Sequence, residues 1–127
     1  MPTVADERPL KDEERRLIEW LLQHGEPEAV AYLPQLNRTS VVSRCDCGCP
    51  SVDLAVDGRA TPGSAPSHKL ADVIGFSPEG LPVGVILHAR DGLLSELEVY
   101  SRGDPSKTYA LPAISTLKLL PLATPNT

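Results

Sequence analysis

The chain has 127 residues, a net charge of −5 and 41% apolar residues, which suits one domain with its own core and is too apolar for a disordered chain. Its 12 Lys and Arg are scattered, and the one tight pair, Arg15 and Arg16, follows Asp12, Glu13 and Glu14, so the clustered cationic surface that nucleic acid or an anionic membrane requires is not there. No apolar run reaches the ~18 residues of a spanning helix, and the polar start shows no signal-peptide pattern; the expected compartment is the cytoplasm, with the three cysteines reduced.

Residues 1–9 read as a flexible arm, 10–120 as a single α+β domain and 121–127 as a tail. The spacing of Leu17, Ile18, Leu21 and Leu22, with Leu10 before them and Trp20 widening the face, predicts a helix over 11–24. Asp12, Glu13 and Glu14 suit its first turn, and His24 and Gly25 suit its last turn and a left-handed cap. Pro27 can open a second short helix over 27–33, with Ala29, Val30 and Leu33 inward and Pro34 ending it. Strands are expected over 39–44 and 51–56, followed by a Gly-, Pro- and Ser-rich mobile loop over 57–69.

The segment 70–101 predicts an antiparallel meander of strands at 70–76, 82–89 and 94–101. A three-residue corner at Pro78, Glu79 and Gly80 sets Val73 opposite Val85 and Gly75 opposite Val83. A two-residue Asp91-Gly92 turn would set Val85 against Glu98, whereas a three-residue Arg90-Asp91-Gly92 corner sets Val83, Val85 and Leu87 against Val99, Leu97 and Ser95. Burial favours the second, because a slip of one residue exchanges the two faces. The valine face is expected under the helices. The opposite face carries Leu70, Asp72, Ile74, Phe76, Gly84, Ile86, His88, Leu94, Glu96, Glu98 and Tyr100, and its expected cover is the tail, through Leu111, Ile114, Leu117, Leu119 and Leu120. The architecture is thus two N-terminal helices on an antiparallel sheet of about five strands.

Cys45, Cys47 and Cys49, in the segment Cys-Asp-Cys-Gly-Cys-Pro, are the most distinctive feature. The plainest reading is a tight turn with the thiols as apolar filler. A zinc site is the alternative, since thiolates suit zinc, but a closed site needs four donors; His68 is a possible fourth. A redox reading needs a thiol of lowered pKa; Arg44 would help and Asp46 would oppose. Asp72, His88, Glu96 and Glu98 share one face, where acid–base chemistry would need a pocket; an exposed polar cluster is the ordinary reading. No phosphate loop, nucleophile elbow or HExxH pattern is present.

Glu14, Leu17, Ile18, Trp20, Leu21 and Leu22, then Cys45 through Val52, then Gly84 to Leu87, Asp91-Gly92 and Leu97 to Tyr100, resemble small bacterial proteins of an uncharacterised domain family. That resemblance implies no catalytic residues and no established activity. The helix pair, acidic charge and short sheet are also similar to many bacterial toxin-immunity proteins. The expected function is a non-enzymatic module binding a basic protein partner through Glu96 and Glu98. The alternative is a thiol-dependent zinc or redox protein using Cys45, Cys47 and Cys49. An enzyme is the lesser expectation, and exposed strand edges allow a homodimer without demanding one.

Overall fold

The computed structural model describes residues 3–61, 64–104 and 107–119. It is an α+β fold built on a single antiparallel sheet. The strands are β1 (Thr3–Pro9), β2 (Thr39–Cys45), β3 (Val52–Val56), β4 (Ser67–Phe76), β5 (Pro82–Arg90), β6 (Leu93–Ser101) and β7 (Lys118–Leu119). Helix α1 (Asp12–His24) and a 3-10 helix (Pro27–Arg38) lie between β1 and β2. Among the described residues the sheet has seven strands in the order β1-β2-β3-β6-β5-β4-β7, rather than about five. The two additions are its edges, one in the expected arm and one near the end of the expected domain; the expected tail over 121–127 lies outside the described residues.

Residues 3–9 are a paired strand and not an arm. Thr3 lies opposite Cys45 and Ala5 opposite Ser43; an irregularity then brings Arg8 opposite Val41, on the core side of the sheet. There Arg8 donates from both terminal nitrogens to the Glu14 carboxylate, at 2.8 and 2.9 Å. Glu14 Oε1 also accepts the Lys11 N–H at 2.8 Å, capping the start of α1. Burial works against the Glu14 charge, but Arg8 and the Lys11 amide outweigh it and hold the carboxyl below its ordinary pKa.

Helix α1 buries Leu17, Ile18, Leu21 and Leu22, as its spacing predicts. Trp20 packs at the edge of the core and stacks on His24, whose Nδ1 meets the Trp20 carbonyl at 2.9 Å. Gly25 ends the helix without the expected left-handed cap, at φ −81°. Glycine is required there for close approach: a Cβ would stand 2.3 Å from the Leu70 carbonyl oxygen. The 3-10 helix runs through Pro34 to Arg38. With about three residues per turn its inner side is Ala29 and Leu36, flanked by the half-buried Tyr32 and Leu33, while Val30 points outward at 54% exposure.

The mobile loop expected over 57–69 is shorter, since β4 begins at Ser67; residues 62–63 lie outside the described ones. The corner at Pro78, Glu79 and Gly80 forms as expected, with Val73 opposite Val85 and Gly75 opposite Val83. The next hairpin reaches the expected faces by another route. Arg90 pairs with Leu93 across a two-residue turn, and Asp91 and Gly92 have φ of 54° and 78°. Such a turn alone would send Glu96 and Glu98 inward. A bulge beside Ala89 inserts Ser95 as an extra residue and restores parity, so that Val85 faces Val99 and Leu87 faces Leu97. A second bulge, between Lys69 and Ala71, turns Leu70 into the core rather than onto the outer face.

Val73, Val85, Leu87, Leu97 and Val99 therefore form one core with the inner sides of both helices. Leu94, expected outside, belongs to that core as well. Among the described residues, the segment 107–119 does not lie across the outer face. Leu111 is buried in the core, Tyr109 and Leu117 pack against it, and β7 pairs along the edge of β4. Ile114 and Leu119 remain exposed, and Leu120 lies outside the described residues. The outer face keeps Asp72, Ile74, Ile86, His88, Glu96, Glu98 and Tyr100 half-buried, with Phe76 50% exposed. No helix among the described residues is long and apolar enough to cross a membrane.

Candidate functional site

Strand β2 ends on Cys45, and β3 begins at Val52. The link between them is a tight reversal. The Cys45 N–H donates to the Ser51 carbonyl at 3.2 Å, and the Gly48 N–H returns to the Cys45 carbonyl at 3.4 Å. Gly48 has a φ of 88°, in the left-handed region that glycine enters freely. The reversal folds the alternate residues Cys45, Cys47 and Cys49 back on one another. Their three Sγ atoms lie within 4.8 Å of one another, with Cys45 and Cys47 closest at 2.6 Å. The Cys47 and Cys49 amides point at the Cys45 and Cys47 sulfurs, each at 3.4 Å.

The thiols differ in surroundings. Cys45 is buried, Cys49 half-buried and Cys47 exposed. Hydrogen bonding to Cys45 and then Cys49 pushes the Cys47 thiol up to about 11. Burial works to raise Cys49, but hydrogen bonds from Ser51 and Cys47 overcome it and bring this thiol down to about 7. Of these two, Cys49 is the first to lose its proton. Ser51 also closes the sheet here: its hydroxyl donates to the Val99 carbonyl at 2.9 Å and accepts the Val99 N–H at 2.8 Å. Burial and then the neighbouring Cys49 charge push the Tyr109 phenol up to about 12.

All three cysteines line one cleft of about 220 Å³. Its other walls include Asp53, Glu96, Glu98, Tyr100 and Tyr109, and no Lys, Arg or His lines it among the described residues. The carboxylates arrive by strand alternation: Asp53 lies opposite Glu96, and Glu96 opposite His88. Burial raises the Glu96 carboxyl above its ordinary range; the Asp53 and Glu98 charges add to this and His88 opposes it. Asp53 accepts a hydrogen bond from the Ser43 hydroxyl at 2.6 Å.

His68 takes no part in the thiol cluster. It is on β4, three strands from β3 and toward the opposite end of the sheet, where its Nε2 meets Glu28 Oε2 at 2.7 Å. Asp72, His88, Glu96 and Glu98 do share the outer face, but Asp72 and His88 do not line the thiol cleft. His88 is directly opposite Glu96, rather than opposite Leu94, and its Nε2 bonds Glu98 Oε1 at 2.7 Å. Its Nδ1 meets the Ser67 hydroxyl at 2.8 Å. Asp72 pairs with Lys69 at 3.6 Å, outside the cleft. Asp53 was open to discovery from β3 alternation, whereas nothing local in the sequence marked Ser51, Tyr100 or Tyr109 as neighbours of the cysteines.

Three thiols in this arrangement provide three soft donors for one ion. With zinc–sulfur bonds of ~2.3 Å, the sulfurs around a tetrahedral ion stand ~3.8 Å apart; the three lie within 4.8 Å of one another, and the Cys45–Cys47 pair, at 2.6 Å, would have to open by about 1 Å to admit the ion. Among the described residues no His, Asp or Glu joins the group as a fourth donor. Comparisons with known proteins give no match: no family model, no curated protein and no solved structure.

Proposed function

We propose that this chain is a thiolate metal-binding protein whose centre is Cys45, Cys47 and Cys49, with zinc as the reference ion. One observation carries the reading: three sulfurs from a single short reversal converge within 4.8 Å. A dithiol redox pair needs only two sulfurs, and apolar filler gives no reason for an exposed Cys47 to join the cluster. Metal binding would release the thiol protons, and the lowered Cys49 pKa eases that release. Free thiols of this kind fit a reducing compartment such as the bacterial cytoplasm. The test is metal analysis of untagged, reduced protein after zinc reconstitution and desalting. One zinc per chain is expected, with loss in Cys45→Ser, Cys47→Ser and Cys49→Ser. Failure of reduced, folded protein to retain zinc rejects the reading.

The second reading is a module that binds a basic protein, as in toxin–immunity pairs. The supporting observation is the outer face, which among the described residues carries Glu96, Glu98 and Asp72 beside Ile74, Ile86 and the half-exposed Phe76. Charge-neutral Glu96→Gln/Glu98→Gln should weaken such binding in a salt-dependent way, whereas loss of zinc should not. Undiminished affinity for a purified partner would count against this face.

A further inference from the structure

An ion among three thiolates is not closed. Structural zinc takes four protein donors, while three protein donors leave one position for an exogenous ligand. The three cysteines supply every donor in the group, and His68, which could have closed it, is engaged by Glu28 elsewhere in the sheet. The same three residues line the cleft, so a remaining position can open into it. At about 220 Å³ the cleft admits water and small molecules, and is smaller than a typical drug-sized pocket.

Charge decides which small molecules. A divalent ion on three thiolates carries a net charge of about −1 by simple addition of formal charges. Asp53, Glu96 and Glu98 add carboxylates to the walls, and no cation lines the cleft among the described residues to offset them. Arg8, Lys11 and Arg44 border a different hollow that shares Cys49 with the cleft, and there Asp6, Glu13 and Glu14 accompany them. An incoming anion meets repulsion from both the centre and the walls, in a partly desolvated space where such repulsion is strong.

We infer that a divalent ion held by Cys45, Cys47 and Cys49 keeps one exchangeable position toward this cleft, and that the position takes a small uncharged nitrogen donor in preference to an anion. This rests on the thiolate reading above. The site therefore behaves as an open, ligand-exchanging centre and not as a structural staple.

Cobalt(II) tests it, because its visible spectrum reports both thiolate ligation and any change in the fourth ligand. The full chain is loaded with one equivalent of Co(II) and titrated with imidazole or with azide at pH 8. Imidazole is expected to shift the visible bands saturably, while azide at the same concentrations leaves them unchanged. In Glu96→Gln/Glu98→Gln, the azide affinity of the fully Co(II)-loaded protein should rise about tenfold. Asp53→Asn offers the same measurement if the double variant does not fold. Co(II) bound through thiolates but indifferent to imidazole overturns the open position and leaves the metal centre standing. Azide binding as well as imidazole, or no gain in azide affinity in a folded, Co(II)-loaded variant, overturns the charge selection. No thiolate–cobalt spectrum at all overturns the metal reading itself.

Discussion

The two faces of the central strands use neighbouring residues for opposite ends. On β5 and β6, Val85, Leu87, Leu97 and Val99 are sealed beneath α1 and the 3-10 helix, while Ile86, His88, Glu96 and Glu98 alternate with them and stay half-buried. The inner face is apolar and covered; the outer face is mixed in polarity, open in part, and continues into the thiol cleft. The difference teaches that stability and chemistry can be separated by a single residue of register, and the Ser95 bulge sets that register.

The largest break in the comparison should come from the inner face. Leu97→Ala is expected to cost about 2–5 kcal/mol in urea unfolding, whereas its outer neighbour Glu96→Gln should stay within about 0.5 kcal/mol. Equal losses at the two positions would mean the outer face is part of the core.

Next comes Arg8→Ala, which leaves Glu14 buried without its guanidinium and should cost about 3 kcal/mol at pH 7. The pH dependence sharpens this. Glu14 has a lowered pKa in the folded chain, so its contribution is present above its unfolded pKa and is lost as pH falls through the folded one. In Arg8→Ala burial dominates and raises the carboxyl, so this group's contribution should instead grow as the solution is acidified. Unfolding curves at pH 7, 4 and 3 distinguish the two slopes.

Gly25→Ala should cost about 1–3 kcal/mol, because the new Cβ meets the Leu70 carbonyl and the Ala71 side chain where α1 docks on β4. Gly92→Ala, in open space but at a φ of 78°, should cost about 1–2 kcal/mol through backbone conformation alone. Thermal unfolding of both variants compares the two reasons for glycine. The smallest effect on stability, and the most direct probe of the outer side, is alkylation of the reduced thiols. Cys49 should react first, with a rate that climbs through about pH 7, and Cys47 last among the solvent-reachable thiols, since its pKa is near 11. Peptide mapping that finds Cys47 modified ahead of Cys49 at pH 7 would reverse this order.

Much of the fold was legible because its signals are local and periodic. The α1 face, β2, β3 and the first corner of the meander follow from spacing and turn chemistry, and so does the division between valine and carboxylate faces. The edge strands were not legible. Residues 3–9 owe their place to pairing with β2 and to the Arg8–Glu14 contact, and β7 has only two residues. At the site, the sequence supplied the three cysteines and the two glutamates, but gave them the wrong companion in His68.

The sequence by itself determined which residues can hide from water and where the chain must turn, because side-chain periodicity and backbone preference act over a few positions. Only the tertiary structure decided how parity was recovered after the Asp91-Gly92 turn and which face the tail joined. It also decided that Tyr109 and the carboxylates of β3 and β6 would meet the thiols at one cleft. Those outcomes depend on contacts between distant segments competing for the same buried surface, and such competition leaves no pattern in a short stretch of chain.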